Sequence, residues 1–154
     1  MDNSLRLFKE EDAEGVRDLI LNILSKEYPF DKSAYSDSDL YKISETYGGK
    51  REAFFVIEAA GAIAGTVGVK EENPSEALLR RLFVDPKYRK KGYGSGLLSK
   101  AVDFCKAKGY KLMHFRCTDR MSEAMQLCLK KGFKETEKLE VSGFKIHRLE
   151  LTLL

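Results

Sequence analysis

The sequence is poor in the residues that cross-link a fold or bind metals. Its 154 residues include three cysteines, two histidines, three prolines and no tryptophan. Cys105, Cys117 and Cys128 are odd in number and form no CxxC pair, which argues against a disulfide scaffold and favours free thiols in a reducing compartment. The histidines and cysteines form no paired zinc-ligand motif, so no metal site is predicted.

The sequence also lacks a strong excess of one charge and a long apolar run. Lys and Arg number 27 against 24 Asp and Glu, a net charge of +3, which disfavours a nucleic-acid binder. No apolar run approaches the roughly 18 residues that a membrane-spanning helix needs, and residues 1–4 do not resemble the start of a signal peptide. We therefore expect one cytoplasmic domain over residues 1–154, without nucleic-acid or membrane partners.

Hydrophobic periodicity predicts strands alternating with helices. Residues 12–24 place five apolar side chains on one helical face, and further helices are predicted over 37–47, 92–108 and 122–131. Strands are predicted over 5–8, 54–58, 63–70, 78–84 and 111–118, followed by a hairpin that includes Val141 and residues 147–153. The alternation in the second half indicates an α/β domain with a mixed sheet.

A basic, glycine-rich turn follows the predicted strand 78–84. Four cations occur within the five residues 87–91, and Gly92 and Gly94 come next, at the start of a helix. The unpaired N–H groups and the dipole of a helix N-terminus bind phosphate groups. The Walker pattern is absent, and Leu97 stands where the dinucleotide motif GxGxxG requires its last glycine. The turn is therefore predicted to bind a pyrophosphate of another kind.

Two motifs carry a resemblance to a known family. Arg89, Gly92 and Gly94 match [QR]-x-x-G-x-[GA], and residues 124–133, AMQLCLKKGF, are similar to A-x-x-L-Y-x-x-x-G-F. With the order of elements over about residues 5–153, they resemble the GNAT superfamily of acyl-CoA-dependent N-acetyltransferases. The resemblance implies an α/β fold (α+β in some schemes) with three αβα layers and a mixed sheet that splays at its centre.

The resemblance also implies acetyl-CoA as the co-substrate. Backbone groups of Leu82, Phe83 and Val84 are then expected to bind the pantetheine arm, and Phe83 or Val84 to offer an N–H to the oxyanion. Arg89 belongs to the family motif. The residues expected around the pyrophosphate are Lys90, Lys91, Gly92, Tyr93, Gly94 and Ser95.

The catalytic groups depart from the family pattern. Cys128 stands where many relatives carry the tyrosine that protonates the leaving thiolate, and Met121 where relatives often carry an asparagine. Cys128 is interpreted either as the proton donor or as a buried packing residue. Glu76 is the candidate general base, with water-mediated deprotonation as its alternative.

The adjacent Arg80 and Arg81 interrupt the strand 78–84, and they are expected on opposite faces of it. One interpretation is a structural salt bridge, and the other is that one arginine binds a carboxylate of the acceptor.

Three functions remain open at this stage. The first is acetylation of a small-molecule amine, the second is acetylation of a protein N-terminus or lysine, and the third is a CoA-binding sensor with little catalysis. A homodimer is compatible with each of them.

Overall fold

A computed structural model describes residues 4–28, 38–141 and 143–153 of the chain. The described strands form one seven-stranded sheet in the order β1-β2-β3-β4-β5-β7-β6. Only β4 and β5 pair in parallel among the described neighbours; the other pairs are antiparallel. The strands are β1 Ser4–Leu7, β2 Ala53–Ala59, β3 Ala62–Asn73, β4 Glu76–Val84, β5 Leu112–Thr118, β6 Lys134–Val141 and β7 Phe144–Thr152.

In the described residues, four α-helices and three 3-10 turns accompany the sheet. The helices are α1 Ala13–Glu27, α2 Ile43–Thr46, α3 Tyr93–Ala107 and α4 Ser122–Lys131, and the 3-10 turns are Glu10–Asp12, Ser38–Tyr41 and Pro86–Tyr88. The helices and strands occur in the predicted order. The prediction of one helix over 37–47 was wrong: residue 37 lies outside the described residues, and the rest forms a 3-10 turn and the short α2. Lys42 leaves the helical region between them, and Asp39 is drawn into a buried ion pair with β4.

The helices cover both faces of the sheet. On one face, Phe104 of α3 contacts Phe55 of β2 with ring centroids 5.7 Å apart. The neighbouring Phe54 points to the opposite face, where it contacts Tyr47, which follows α2. Helix α1 lies on this second face as well, where its Gly15 approaches the side chain of Ile63. The predicted three-layer α/β architecture is therefore confirmed.

The sheet splays between its two central strands. The parallel register of β4 and β5 ends at Leu79 and Phe115, although β4 continues to Val84 and β5 to Thr118. On the opposite edge of β4, its register with β3 shifts at Arg81, which has a left-handed φ of 56°. This β-bulge increases the local twist and turns the end of β4 away from β5. A gap consequently opens at the centre of the mixed sheet, as expected.

Candidate functional site

A groove of about 650 Å³ runs between the β4–α3 turn and helix α4. Six residues singled out from the sequence line it: Val84, Arg89, Lys90, Gly92, Gly94 and Ser95. Helix α4 supplies the opposite wall with Ser122, Gln126 and Lys130. Those three were missed by the sequence prediction, although their spacing of four residues places them on one helical face. The groove thus joins a basic turn to a polar stripe of a second helix.

The backbone of the turn suits close approach by a ligand. Gly92 precedes α3 with a φ of +85°, and a Cβ built on it would meet no atom within 4 Å. A Cβ on Gly94 would lie 2.7 Å from Leu127 Cδ1, so this glycine lets α3 and α4 pack closely. The first N–H groups of α3 have no acceptor within their own helix and carry the positive end of its dipole. Together with Lys90 and Lys130 they place positive charge along the groove, and Glu123, 3.6 Å from Arg89, is the acidic side chain among the described lining residues.

The Arg89 side chain, although it lines the groove, is held by hydrogen bonds to the protein itself. Its Nη1 and Nη2 each donate to a carboxylate oxygen of Glu27 at 2.8 Å, and its Nε donates to the carbonyl of Val84 at 3.0 Å. The side chain therefore ties the turn to the end of α1. Lys91 and Tyr93 do not line the groove. They lie beside Tyr88, whose ring stacks on that of Tyr93 with the ring centroids 5.9 Å apart.

A smaller cavity of about 300 Å³ occupies the gap between β4 and β5. Its lining continues from that of the groove, because Phe83 and Met121 line the cavity while the next residues, Val84 and Ser122, line the groove. Apolar side chains and three arginines make up the wall. The lining residues are Leu78, Leu79, Arg80, Arg81, Leu82, Phe83, Phe115, Arg116, Met121 and Ile146.

Both Arg80 and Arg81 approach Asp39 of the 3-10 turn Ser38–Tyr41. Arg81 Nη2 donates to Asp39 Oδ1 at 2.5 Å, Arg80 Nη2 lies 3.8 Å from the same oxygen, and the Tyr47 hydroxyl donates to Oδ2 at 2.7 Å. Burial raises the pKa of the Asp39 carboxyl, but the contacts with Arg81 outweigh it and leave the pKa lowered. The salt-bridge interpretation holds for Arg81. The expectation of opposite faces was wrong, because the bulge at Arg81 interrupts the alternation of side chains.

The two candidate catalytic residues lie outside the linings of the groove and the cavity. Cys128 is fully buried in α4, and burial raises the pKa of its thiol to about 12. This burial favours the packing interpretation over proton donation. Glu76 begins β4, at the end remote from the groove, and its carboxylate lies 3.7 Å from Arg148. Met121, in contrast, does line the cavity.

Two further properties concern only the part of the chain that the structure describes. It holds no group of three or more His, Cys, Asp or Glu side chains arranged to hold a metal ion. None of its helices has the length and apolar character needed to cross a membrane.

The chain belongs to the Acetyltransferase (GNAT) family, whose pattern residues 17–133 match. The enzymes of this family transfer an acetyl group from acetyl-CoA. The resemblance in the sequence motifs is thereby confirmed, and the groove falls within the matched region.

The chain is also similar to individual known proteins, and the solved structures among them show the same fold. An N-acetyltransferase of uncharacterised function from Methanocaldococcus jannaschii is 28% identical over 92 residues, which are 56% of this chain and 41% of that protein. A GNAT acetyltransferase from Staphylococcus aureus Mu50 superposes with a TM-score of 0.86 at 20% identity over 99% of each chain. The putative acetyltransferase YncA from Salmonella typhimurium, solved with acetyl-CoA, gives a TM-score of 0.80 at 17% identity over 99% of this chain and 95% of its own.

Proposed function

We propose that this protein transfers the acetyl group of acetyl-CoA to the primary amine of a small molecule. The observation that carries the proposal is the continuity of the groove with the cavity at Phe83 and Val84. Acetyl-CoA that extends along this path brings its thioester from the side of α3 and α4 into the gap in the sheet. An acceptor in the cavity then meets it there, which permits direct transfer without a covalent enzyme intermediate.

The groove fits the charged half of CoA. In the proposed complex, the N–H groups that follow Gly92, with Ser95, bind the pyrophosphate, and Lys90 and Lys130 balance its charge. Arg89 keeps the turn in position through Glu27. Leu82 to Val84 lie past the last described pair with β5, so their backbone edge is available to the pantetheine amides as a strand partner.

The chemistry is an acyl transfer. The amine nitrogen attacks the thioester carbonyl and forms the C–N bond, and collapse of the tetrahedral intermediate breaks the C–S bond and releases the CoA thiolate. A backbone N–H of Phe83 or Val84 stabilises the oxyanion. The proton lost by nitrogen leaves through water or passes to the thiolate, since Cys128 is buried away from the path.

The amine must react in its neutral form. Among the described residues that line the cavity, three carry an arginine side chain and none carries a carboxylate or an imidazole. Nearby positive charges disfavour an ammonium ion and lower the pKa of a bound amine. The proposal therefore assigns deprotonation to this electrostatic effect and to water, and Glu76 becomes the alternative base to be tested.

The size of the cavity supports a small acceptor, because about 300 Å³ lies at the lower end of ligand-pocket volumes. The proposed setting is the cytoplasm, where the three free cysteines would stay reduced. The proposal treats residues 1–154 as one domain, and a homodimer remains compatible with it.

The proposal is tested by thiol release from acetyl-CoA with panels of small amines and of peptides. Release with small amines, and with peptides at most weakly, is the expected result. Release with peptides alone would replace the small-molecule acceptor by a protein. Tight binding of acetyl-CoA without release in either panel would contradict the enzyme and favour the sensor.

A further inference from the structure

The charges around the cavity are one-sided. Arg80, Arg81 and Arg116 line it, and the other lining residues in the described part of the chain are apolar, with no aspartate or glutamate among them. The more an arginine is shielded from water, the more it needs a partner of opposite charge. The partners of each arginine therefore indicate what the cavity can accept.

Asp39 is engaged mainly by one of the two neighbouring arginines. Arg81 donates to it from Nε at 3.1 Å and from Nη2 at 2.5 Å, and only 5% of the Arg81 side chain is exposed. Arg80 lies 3.8 Å from the same carboxylate, beyond hydrogen-bond distance, and 31% of its side chain is exposed. Within the described residues, Asp39 thus accepts hydrogen bonds from Arg81, whereas the Arg80 guanidinium only lies near it and stays partly exposed at the cavity wall.

Arg116 adds positive charge to the cavity wall from the neighbouring strand. Leu78 of β4 and His114 of β5 are partners in the parallel register, so their side chains lie on the same face. Arg80 follows Leu78 by two residues, and Arg116 follows His114 by two residues. The two arginines therefore share that face. Glu72 lies 3.9 Å from Arg116, and both of these side chains are substantially exposed to solvent, where an ion pair is weak.

We infer that the cavity selects an acceptor that carries a carboxylate next to its amine, bound by Arg80, with an apolar body against Leu78, Phe115 and Ile146. The inference rests on the proposed function and specifies the substrate class of the same site. A guanidinium binds a carboxylate through two parallel hydrogen bonds, which also fixes its orientation. Apolar amino acids have this combination of groups.

The same charges argue against polyamines as acceptors. A second or third ammonium group of a polyamine would lie among arginines, and none of the described lining residues offers a carboxylate to it. Like charges at short distance are repulsive, so a polyamine would bind poorly and gain no orientation.

The test compares each apolar amino acid with the amine that it gives on decarboxylation, because the two differ in the carboxylate. Thiol release from acetyl-CoA is measured for both members of each pair and for spermidine. We expect at least one amino acid to have a kcat/KM at least about tenfold above that of its decarboxylated partner, the least that a charge-assisted contact contributes. Spermidine should be poorer than that amino acid.

The variant Arg80→Gln gives the decisive readout. It should raise the KM for the amino acid about tenfold or more relative to the KM for the decarboxylated amine, because the effect of one lost charge on the amine group is common to both. The KM for acetyl-CoA should stay within about twofold. Arg80→Lys should recover part of the loss because it retains the charge. Lys9→Gln removes the same charge at an exposed position outside the groove and the cavity, and it should change none of these values.

Several outcomes would overturn the inference. These are equal use of both members of every pair, preference for spermidine, or an Arg80→Gln variant that impairs both members alike. Binding of acetyl-CoA without acetylation of any amino acid would also overturn it. Failure of the wild-type protein to bind acetyl-CoA would instead refute the proposed function, so the two failures are distinguishable.

Discussion

Arg81 donates two hydrogen bonds to Asp39, and both side chains are buried in an ion pair that joins the turn Ser38–Tyr41 to the bulge of β4. Removal of the negative charge would take the charge-assisted acceptor of two hydrogen bonds away from the buried Arg81 guanidinium. We therefore predict that Asp39→Asn lowers the free energy of unfolding by about 3–5 kcal/mol, as measured by urea denaturation.

The control for this prediction is Glu11→Gln. Glu11 is exposed and lies 3.9 Å from Lys9, so the loss of its charge should change the stability by less than about 0.5 kcal/mol. Equal effects of the two substitutions would show that the Asp39–Arg81 pair does not hold the turn against β4.

Glu27 is predicted to affect acetyl-CoA binding without lining the groove. Because Arg89 binds Glu27 through both terminal nitrogens, Glu27→Gln should loosen the basic turn and weaken acetyl-CoA binding by about three- to tenfold, an indirect effect of positioning. Calorimetric titration of acetyl-CoA measures it. If Arg89 instead binds phosphate through its side chain, freeing it from Glu27 should leave the affinity unchanged or increase it.

Cys128 is predicted to contribute to stability and not to proton transfer. Its thiol is fully buried, with a pKa raised to about 12 by burial, and it lines neither cavity nor groove. Cys128→Ala should therefore cost about 1 kcal/mol of stability through a small void and leave kcat within about twofold. A fall in kcat of about tenfold or more, with acetyl-CoA affinity unchanged, would restore the role of proton donor.

The imidazole of His147 connects two carboxylates and makes the stability depend on pH. It contacts Asp119 through Nε2 and Glu135 through Nδ1, the latter at 2.9 Å. The hydrogen bond with Asp119, followed by that with Glu135, raises the pKa of His147, while the contact with His147 lowers the pKa of Asp119.

The direction of this pH dependence follows from the two shifts. The stabilisation by the raised pKa of His147 is complete below its ordinary value of about 6.5 and is lost as the pH rises through the folded-state pKa. The stabilisation by Asp119 is present above its ordinary value and is lost as the pH falls through the lowered pKa. Urea denaturation at several pH values should show a loss of stability on the alkaline side that His147→Gln removes. An unchanged pH profile of that variant would contradict the assignment.

The sequence predicts the glycine-rich turn before α3 better than the cavity between β4 and β5. The turn depends on local signals, since Gly92, Gly94 and the cations before them lie within a few residues of one another. Burial of Cys128 and the contact of Asp39 with Arg81 depend on how distant segments pack. The bulge at Arg81 reverses the expected direction of the Arg81 side chain, and the residue pattern of β4 does not predict that bulge.

The polar face of helix α4 is a sequence signal for the second wall of the groove. Ser122, Gln126 and Lys130 recur every four residues, and this stripe faces the groove. The family motif A-x-x-L-Y-x-x-x-G-F constrains other positions of the helix and includes none of these three residues. Polar stripes opposite a glycine-rich turn are thus informative about the second wall of such a groove.

The central claim is that the turn at Gly92 binds acetyl-CoA, and calorimetric titration of acetyl-CoA into three proteins tests it. Gly92 and Gly109 have nearly the same φ, +85° and +83°, and a Cβ on either would meet no atom within 4 Å. Gly92→Glu and Gly109→Glu therefore introduce similar backbone strain and the same charge, but only Gly92 lines the groove. We predict that the wild type and Gly109→Glu bind acetyl-CoA alike, while Gly92→Glu loses at least about tenfold in affinity through charge repulsion and steric exclusion. Equal affinity of Gly92→Glu and the wild type would contradict the account.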